Sequence, residues 1–159
     1  MSHKPNAINV EMLDSLCSAA QSNERLRAHL NLHESLDDPF QRMVVGMEPA
    51  SYIRPHRHLI TPKPENIVAL RGRLGAVFFD DAGNVTETVE MIPNGISVGV
   101  DIPAGTWHSI VCLESNTAFL ESKPGPYVPF EPDDFAPWAP AAGPEASAYS
   151  SQLRQLFCR

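Results

Sequence analysis

Residues 66–92 read NIVALRGRLGAVFFDDAGNVTETVEMI, and this stretch decides the fold class. Two runs dense in β-branched and aromatic residues, 74–79 and 85–92, flank Asp80-Asp81-Ala82-Gly83-Asn84. Gly and Asn accept the positive φ of tight turns, so the reading is a β-hairpin. Further short runs of the same character surround it, at 42–47, 51–54, 66–71, 96–102, 107–113 and 117–122. About eight strands at this spacing imply a sandwich or barrel.

The flanks change period. Residues 9–21 read as a helix capped by Asn9, with Glu11 in the first turn and Val10, Leu13, Leu16, Cys17 and Ala20 recurring at helical spacing. Residues 22–42 are polar and turn at Asp37-Asp38-Pro39. Residues 124–144 are proline-rich, interleaved with Tyr127, Phe130, Phe135 and Trp138, and read as a loop wrapped around the outside of the barrel and pinned by its aromatic rings. A last helix is expected over 145–157, with Tyr149, Leu153, Leu156 and Phe157 on one face. The organisation expected is one domain over 1–159: an N-terminal helix and arm (1–42), a barrel core (43–123), and a wrap with a C-terminal helix (124–159).

Composition narrows the function classes. A chain of 159 residues is long enough to bury a core without disulfides, and its three scattered cysteines form no C-x-x-C pair. A net charge of −7 disfavours nucleic acid and anionic lipid as partners. Met1-Ser2-His3-Lys4-Pro5 lacks the apolar core of a signal peptide, and no stretch reaches the ~18 apolar residues of a membrane span, so a cytoplasmic protein is expected. Nucleophile-elbow, phosphate-loop and H-E-x-x-H patterns do not occur.

Four residues carry candidate chemistry: His56 and His58 in Pro55-His56-Arg57-His58, Glu65, and His108 after Pro103-Ala104-Gly105. Positions i and i+2 of an extended chain project to one side, so the two imidazoles can share an ion while Arg57 faces away. Three imidazoles and a carboxylate suit one divalent Fe, Mn, Ni, Co or Zn ion and leave positions open for water or substrate. His33 and Arg42, in the arm, are candidate contacts for a small-molecule ligand. Arg54, Arg71 and Arg73 flank the motif and read as solvated surface groups.

These residues resemble the two motifs of the cupins, G-x5-H-x-H-x(3,4)-E-x6-G and G-x5-P-x-G-x2-H-x3-N. His56, His58, Glu65 and Gly72 match the first, and Pro103, Gly105 and His108 the second. Ala50, Ser97 and Cys112 stand where the motifs have Gly, Gly and Asn, and six residues separate His58 from Glu65. More narrowly, the run from Asn31-Leu32-His33 through Lys63-Pro64-Glu65 to Phe78-Phe79-Asp80 is similar to the WbuC family of cupin-fold metalloproteins.

The resemblance implies a mainly β cupin fold, a double-stranded β-helix (jelly-roll barrel) with short N- and C-terminal helices. It also implies a metal held by His56, His58, Glu65 and His108, a homodimer, and a sugar-related role in bacterial surface-polysaccharide (O-antigen) synthesis. Two functions stay open: a metal enzyme such as an isomerase or oxygenase, and a noncatalytic metal-dependent binding module. No catalytic residue apart from the ligands is identified.

Overall fold

The computed structural model describes residues 6–59 and 62–158. Ile60 and Thr61, within the loop that is lengthened between His58 and Glu65, lie outside the described residues. Helix α1 (Val10–Ser22) is followed by strands β1 (Arg27–Asn31), β2 (Phe40–Met47), β3 (Glu65–Arg71), β4 (Leu74–Phe79), β5 (Val85–Met91), β6 (Gly99–Ile102), β7 (Trp107–Cys112) and β8 (Thr117–Pro124), and the chain ends with α2 (Gly143–Gln155). The strands form two antiparallel sheets, ordered β1-β2-β8-β3-β6 and β5-β4-β7.

Alternation along the strands builds the core between the sheets. Val45 and Met47, Ile67 and Ala69, Leu74, Ala76 and Phe78, and Ile110 and Cys112 sit two apart on their strands and meet in one buried cluster with Phe119. Each fully buried large apolar side chain in it contributes roughly 1.5–3 kcal/mol. The other face of β4 and β7 is covered as well, where Val77, Phe79, Trp107 and Val111 pack under Ala136, Ala139 and Leu153, with Trp138 against them. That second layer explains why β4 reads as a continuous apolar run instead of alternating.

On the opposite side, α1 lays Leu13, Leu16 and Cys17 on Val44 and Ala118. Asn9 caps it, its Oδ1 accepting from the Met12 N–H at 3.0 Å. Gly46 admits the helix backbone, since a Cβ there would lie 2.7 Å from the Leu16 carbonyl oxygen. Gly72 turns β3 into β4 at φ +72°, where a Cβ would lie 2.2 Å from Thr117 Oγ1.

The strand count agrees with expectation, but one member differs. Residues 51–54 form no strand. Ser51 N–H closes a turn onto the Glu48 carbonyl, and Pro55 has no N–H to offer a ladder, so pairing begins only at His56. The eighth strand is β1, from the polar arm. It is an edge strand joined to β2 by its backbone and has no buried residue, so no apolar alternation announces it. Strand β6 is shorter than the run 96–102, and Ile96 is fully exposed beside the turn at Asn94 and Gly95. The hairpin joins β4 to β5 with Gly83 at φ +88°. No described helix is long and apolar enough to cross a membrane.

Candidate metal centre

The site is assembled from three separate stretches. His56 and His108 face each other across a backbone bridge, each N–H donating to the other's carbonyl at 3.0 Å. Directly opposed residues of an antiparallel pair project to the same side, which brings the two ring centroids to 4.4 Å. His58, two residues on, places its ring 5.7 Å from His56. Arg57 between them lies over the Trp107 ring at 4.1 Å and reaches Asp81 at 3.2 Å, facing away as alternation requires.

Glu65, the first residue of β3, is the point of convergence. Its Oε1 accepts from His58 Nε2 at 2.9 Å and Lys123 Nζ at 2.7 Å, and its Oε2 from His108 Nε2 at 2.9 Å. His56, His58 and Glu65 each offer a ligand atom within 4.8 Å of the others, and His108 joins them through Glu65. Six residues from His58 to Glu65, where the motif has three or four, therefore do not displace the carboxylate from the cluster.

Two imidazoles are oriented from behind. His56 Nδ1 lies 2.9 Å from the Arg54 carbonyl and His108 Nδ1 2.9 Å from the Thr106 carbonyl. A carbonyl can only accept, so both Nδ1 atoms carry a proton and Nε2 is the nitrogen each ring can offer an ion; His108 Nε2 faces Glu65 Oε2 at 2.9 Å and must give up its hydrogen to that ion. Burial holds His56 neutral, with its pKa pushed down to about 3, and the neighbouring His108 works in the same direction. For Glu65, burial alone would raise the pKa, but the bonds from His108 and His58 and the Lys123 ammonium hold it well below the usual carboxylate range. Lys123 is raised although burial opposes it, because Glu121 and Glu65 flank the ammonium. Three imidazoles, that of His56 neutral, gathered around one ionised carboxylate fit a divalent transition-metal ion.

The proline-rich segment closes over this cluster. Phe130 stacks on His58 at 5.0 Å and meets His56 edge-on at 5.0 Å. Asp134, in a turn of 3-10 helix over Pro132–Asp134, ties the segment down. Its carboxylate accepts from the Leu59 and Glu131 N–H groups, and its carbonyl accepts from Arg57 N–H.

Beside the cluster lies a cavity of about 410 Å³, whose wall includes His33, His58, Lys63, Lys123 and Phe130. His33 is part of that wall and Arg42 is not: the Arg42 guanidinium lies 3.6 Å from Asp38 and over the Phe40 ring. Arg54, Arg71 and Arg73 are engaged with the Ala136 carbonyl, Asp14 and Glu90 in turn. Lys63, Lys123 and Phe130 did not stand out in the sequence. Glu121 and Lys123 two apart look like the solvated face of an edge strand, and only the fold turns that face toward Glu65.

Two sheets enclosing a core, with a histidine and carboxylate cluster at the mouth, define a cupin-fold protein with a candidate metal site. Residues 8–91 match the family described as a domain of unknown function (DUF6016), and the chain belongs to that family. Among solved structures it is similar to an RmlC-like cupin protein from Desulfovibrio desulfuricans, at 19% identity over 77% of this chain and 97% of that one, with a TM-score of 0.53. It is also similar to KdgF from Halomonas sp., at 14% identity over 62% of this chain and 79% of that one (TM-score 0.49), and to a mutant oxalate decarboxylase of Bacillus subtilis, at 17% identity over 62% and 24% (TM-score 0.47). No curated protein matches the chain. The Desulfovibrio likeness carries the fold.

Proposed function

We propose that this chain is a metal-dependent cupin protein in which His56, His58, Glu65 and His108 hold one divalent ion, Fe, Mn, Ni, Co or Zn, and which acts on a small sugar or sugar-derived molecule. The observation that carries the reading is the pair of Nδ1 contacts to backbone carbonyls, which leaves Nε2 of His56 and His108 as the nitrogen each can offer an ion, with His108 Nε2 2.9 Å from Glu65 Oε2. A bound ion would polarise a substrate oxygen. The chain's own contribution is to keep the His56 imidazole neutral, hold the carboxylate ionised, and cover the cluster with Phe130.

The likeness of residues 25–125 to the WbuC family supports a role in surface-polysaccharide synthesis. A cytoplasmic setting agrees with three free cysteines, Cys17, Cys112 and Cys158. Edge strand β1, with Leu30, Leu36 and Phe40 exposed around it, favours a symmetric homodimer. Elemental analysis of the purified protein tests the central statement. About one transition-metal ion per chain supports it, and its absence after growth and reconstitution with each candidate metal defeats it.

A further inference from the structure

Two donors in the cavity wall have nothing to donate to, or too little. Lys63 is only 7% exposed, yet its ammonium meets the Pro126 carbonyl and, among the described residues, no carboxylate. The acidic groups nearby are committed elsewhere: Glu65 and Glu121 to Lys123, and Asp134 to the Leu59 and Glu131 N–H groups. A buried cation without a counter-charge is costly, and a site that keeps one is built for an anion.

The second donor is His33, also 7% exposed. His33 Nδ1 lies 2.8 Å from the Arg42 carbonyl, which also accepts from Leu32 N–H at 2.8 Å, and 3.0 Å from the Arg42 N–H, so the Arg42 backbone engages this nitrogen and leaves Nε2 as the ring's open edge. A backbone N–H can only donate, and with Nδ1 as the acceptor of the Arg42 N–H a ring hydrogen sits on Nε2. That Nε2–H is buried and has no partner among the described residues, although His33 belongs to the cavity wall. The rest of the wall is largely apolar, including Leu36, Met43, Leu59 and Phe130.

We propose that the cavity takes a small carboxylate, its head group bound by Lys63 and the His33 Nε2–H and its body packed on Leu36, Met43 and Phe130. The proposal deepens the reading above and rests on it only in taking the cavity beside the histidine cluster as the working site. An ion at that cluster would add to the positive charge the head group meets. The same chemistry serves a sugar acid and an acid with an apolar body, which the experiment separates.

The test is calorimetric titration of the zinc-loaded and the metal-free protein with two matched pairs, benzoate against benzamide and D-galacturonate against D-galactose. At least one acid binds about tenfold or more tightly than its neutral partner, Lys63→Met abolishes that preference and Lys63→Arg retains it. Preference in the benzoate pair alone marks an apolar body, and in the galacturonate pair a sugar acid. The native protein gives a readout independent of variants: the His33 ring nitrogen resonances move on adding the acid and not on adding its neutral partner. Equal affinity within both pairs, no binding of either acid, or a preference that survives Lys63→Met in a folded variant overturns the proposal. Elemental analysis of the same samples keeps the two readings apart. Metal retained without acid preference defeats this proposal alone, and acid preference without any metal retained defeats the metal centre alone.

Discussion

His56 and His108 are held opposite each other by two backbone hydrogen bonds of 3.0 Å, so their separation is set by main chain and not by their own side chains. Replacing either imidazole leaves the bridge intact. The ligand set can therefore be dismantled one residue at a time without losing the element that positions it.

From this follows the first expectation. His56→Ala and His108→Ala lose most of the bound metal and remain folded, each destabilised by about 1–3 kcal/mol from lost buried contacts and unpaired polar groups. In the native protein, metal at about 100 times its Kd adds roughly 2.7 kcal/mol, and a chelator removes that increment. Metal content and Tm measured together check both statements. Full occupancy in His56→Ala, His58→Ala and His108→Ala alike sinks the site assignment.

Acid should destabilise the metal-free protein, with a defined sign. His56 takes up its proton at about 3 in the folded chain, whereas in the unfolded chain it does so at about 6.5. Between these values the unfolded state binds more protons, so its contribution is fully present above about pH 6.5 and is lost as pH falls toward about 3, by at most about 1.4 kcal/mol per unit. Glu65, held well below 4.5, acts in the same direction at lower pH, its contribution being present above 4.5 and lost in stronger acid. Urea midpoints of chelator-treated protein should fall as pH drops from about 6.5 to about 5. A midpoint that does not change across that range contradicts the buried, neutral state of His56.

The limits of the sequence reading have physical causes. The β4–β5 hairpin and α1 were legible because turn chemistry, capping and periodicity all agree there. Strand β1 was not legible, because an edge strand without a buried residue leaves no periodic trace. Residues 51–54 carry strand-like side chains, but their backbone bonds are turned elsewhere by the prolines on either side. At the site, the histidines follow from the i, i+2 rule and the cupin motif. His33 was read from the arm as a candidate contact and does line the cavity, whereas the approach of Lys123 to Glu65 depends on which strand lies beside which, through β8 pairing with both β2 and β3. Arg42 illustrates the difference: its backbone orients His33, while its side chain turns to Asp38.

Phe130 covers His56 and His58 from the proline-rich segment without being a ligand. Phe130→Ala should therefore leave the metal stoichiometry unchanged while speeding metal transfer to a chelator by roughly tenfold, since the aromatic cover is worth ~1.5 kcal/mol or less. The global Tm should fall only slightly, because Phe130 is 39% exposed. Stopped-flow transfer to a chromogenic chelator measures the rate, and an unchanged rate shows that the segment does not gate the site.

Lys123 supplies the most discriminating variant. Its ammonium lies 2.7 Å from Glu65 Oε1 and 2.7 Å from Glu121, so it partly neutralises the carboxylate that the ion needs. An ion entering the cluster must share Glu65 with a positive charge. Even at the dielectric constant of water, a unit charge about 4 Å from a divalent ion costs about 2 kcal/mol, which sets the scale of the competition. Lys123→Met, which keeps the apolar stem, should raise metal affinity at least about tenfold near neutral pH. The same variant leaves two carboxylates without their shared cation, so the metal-free protein becomes less stable even as the loaded protein gains. Competition titrations against a chelator of known affinity, paired with melts of both forms, read the two effects separately. If Lys123→Met weakens metal binding instead, the ammonium is positioning Glu65 for the ion and not competing with it, and the charge argument fails.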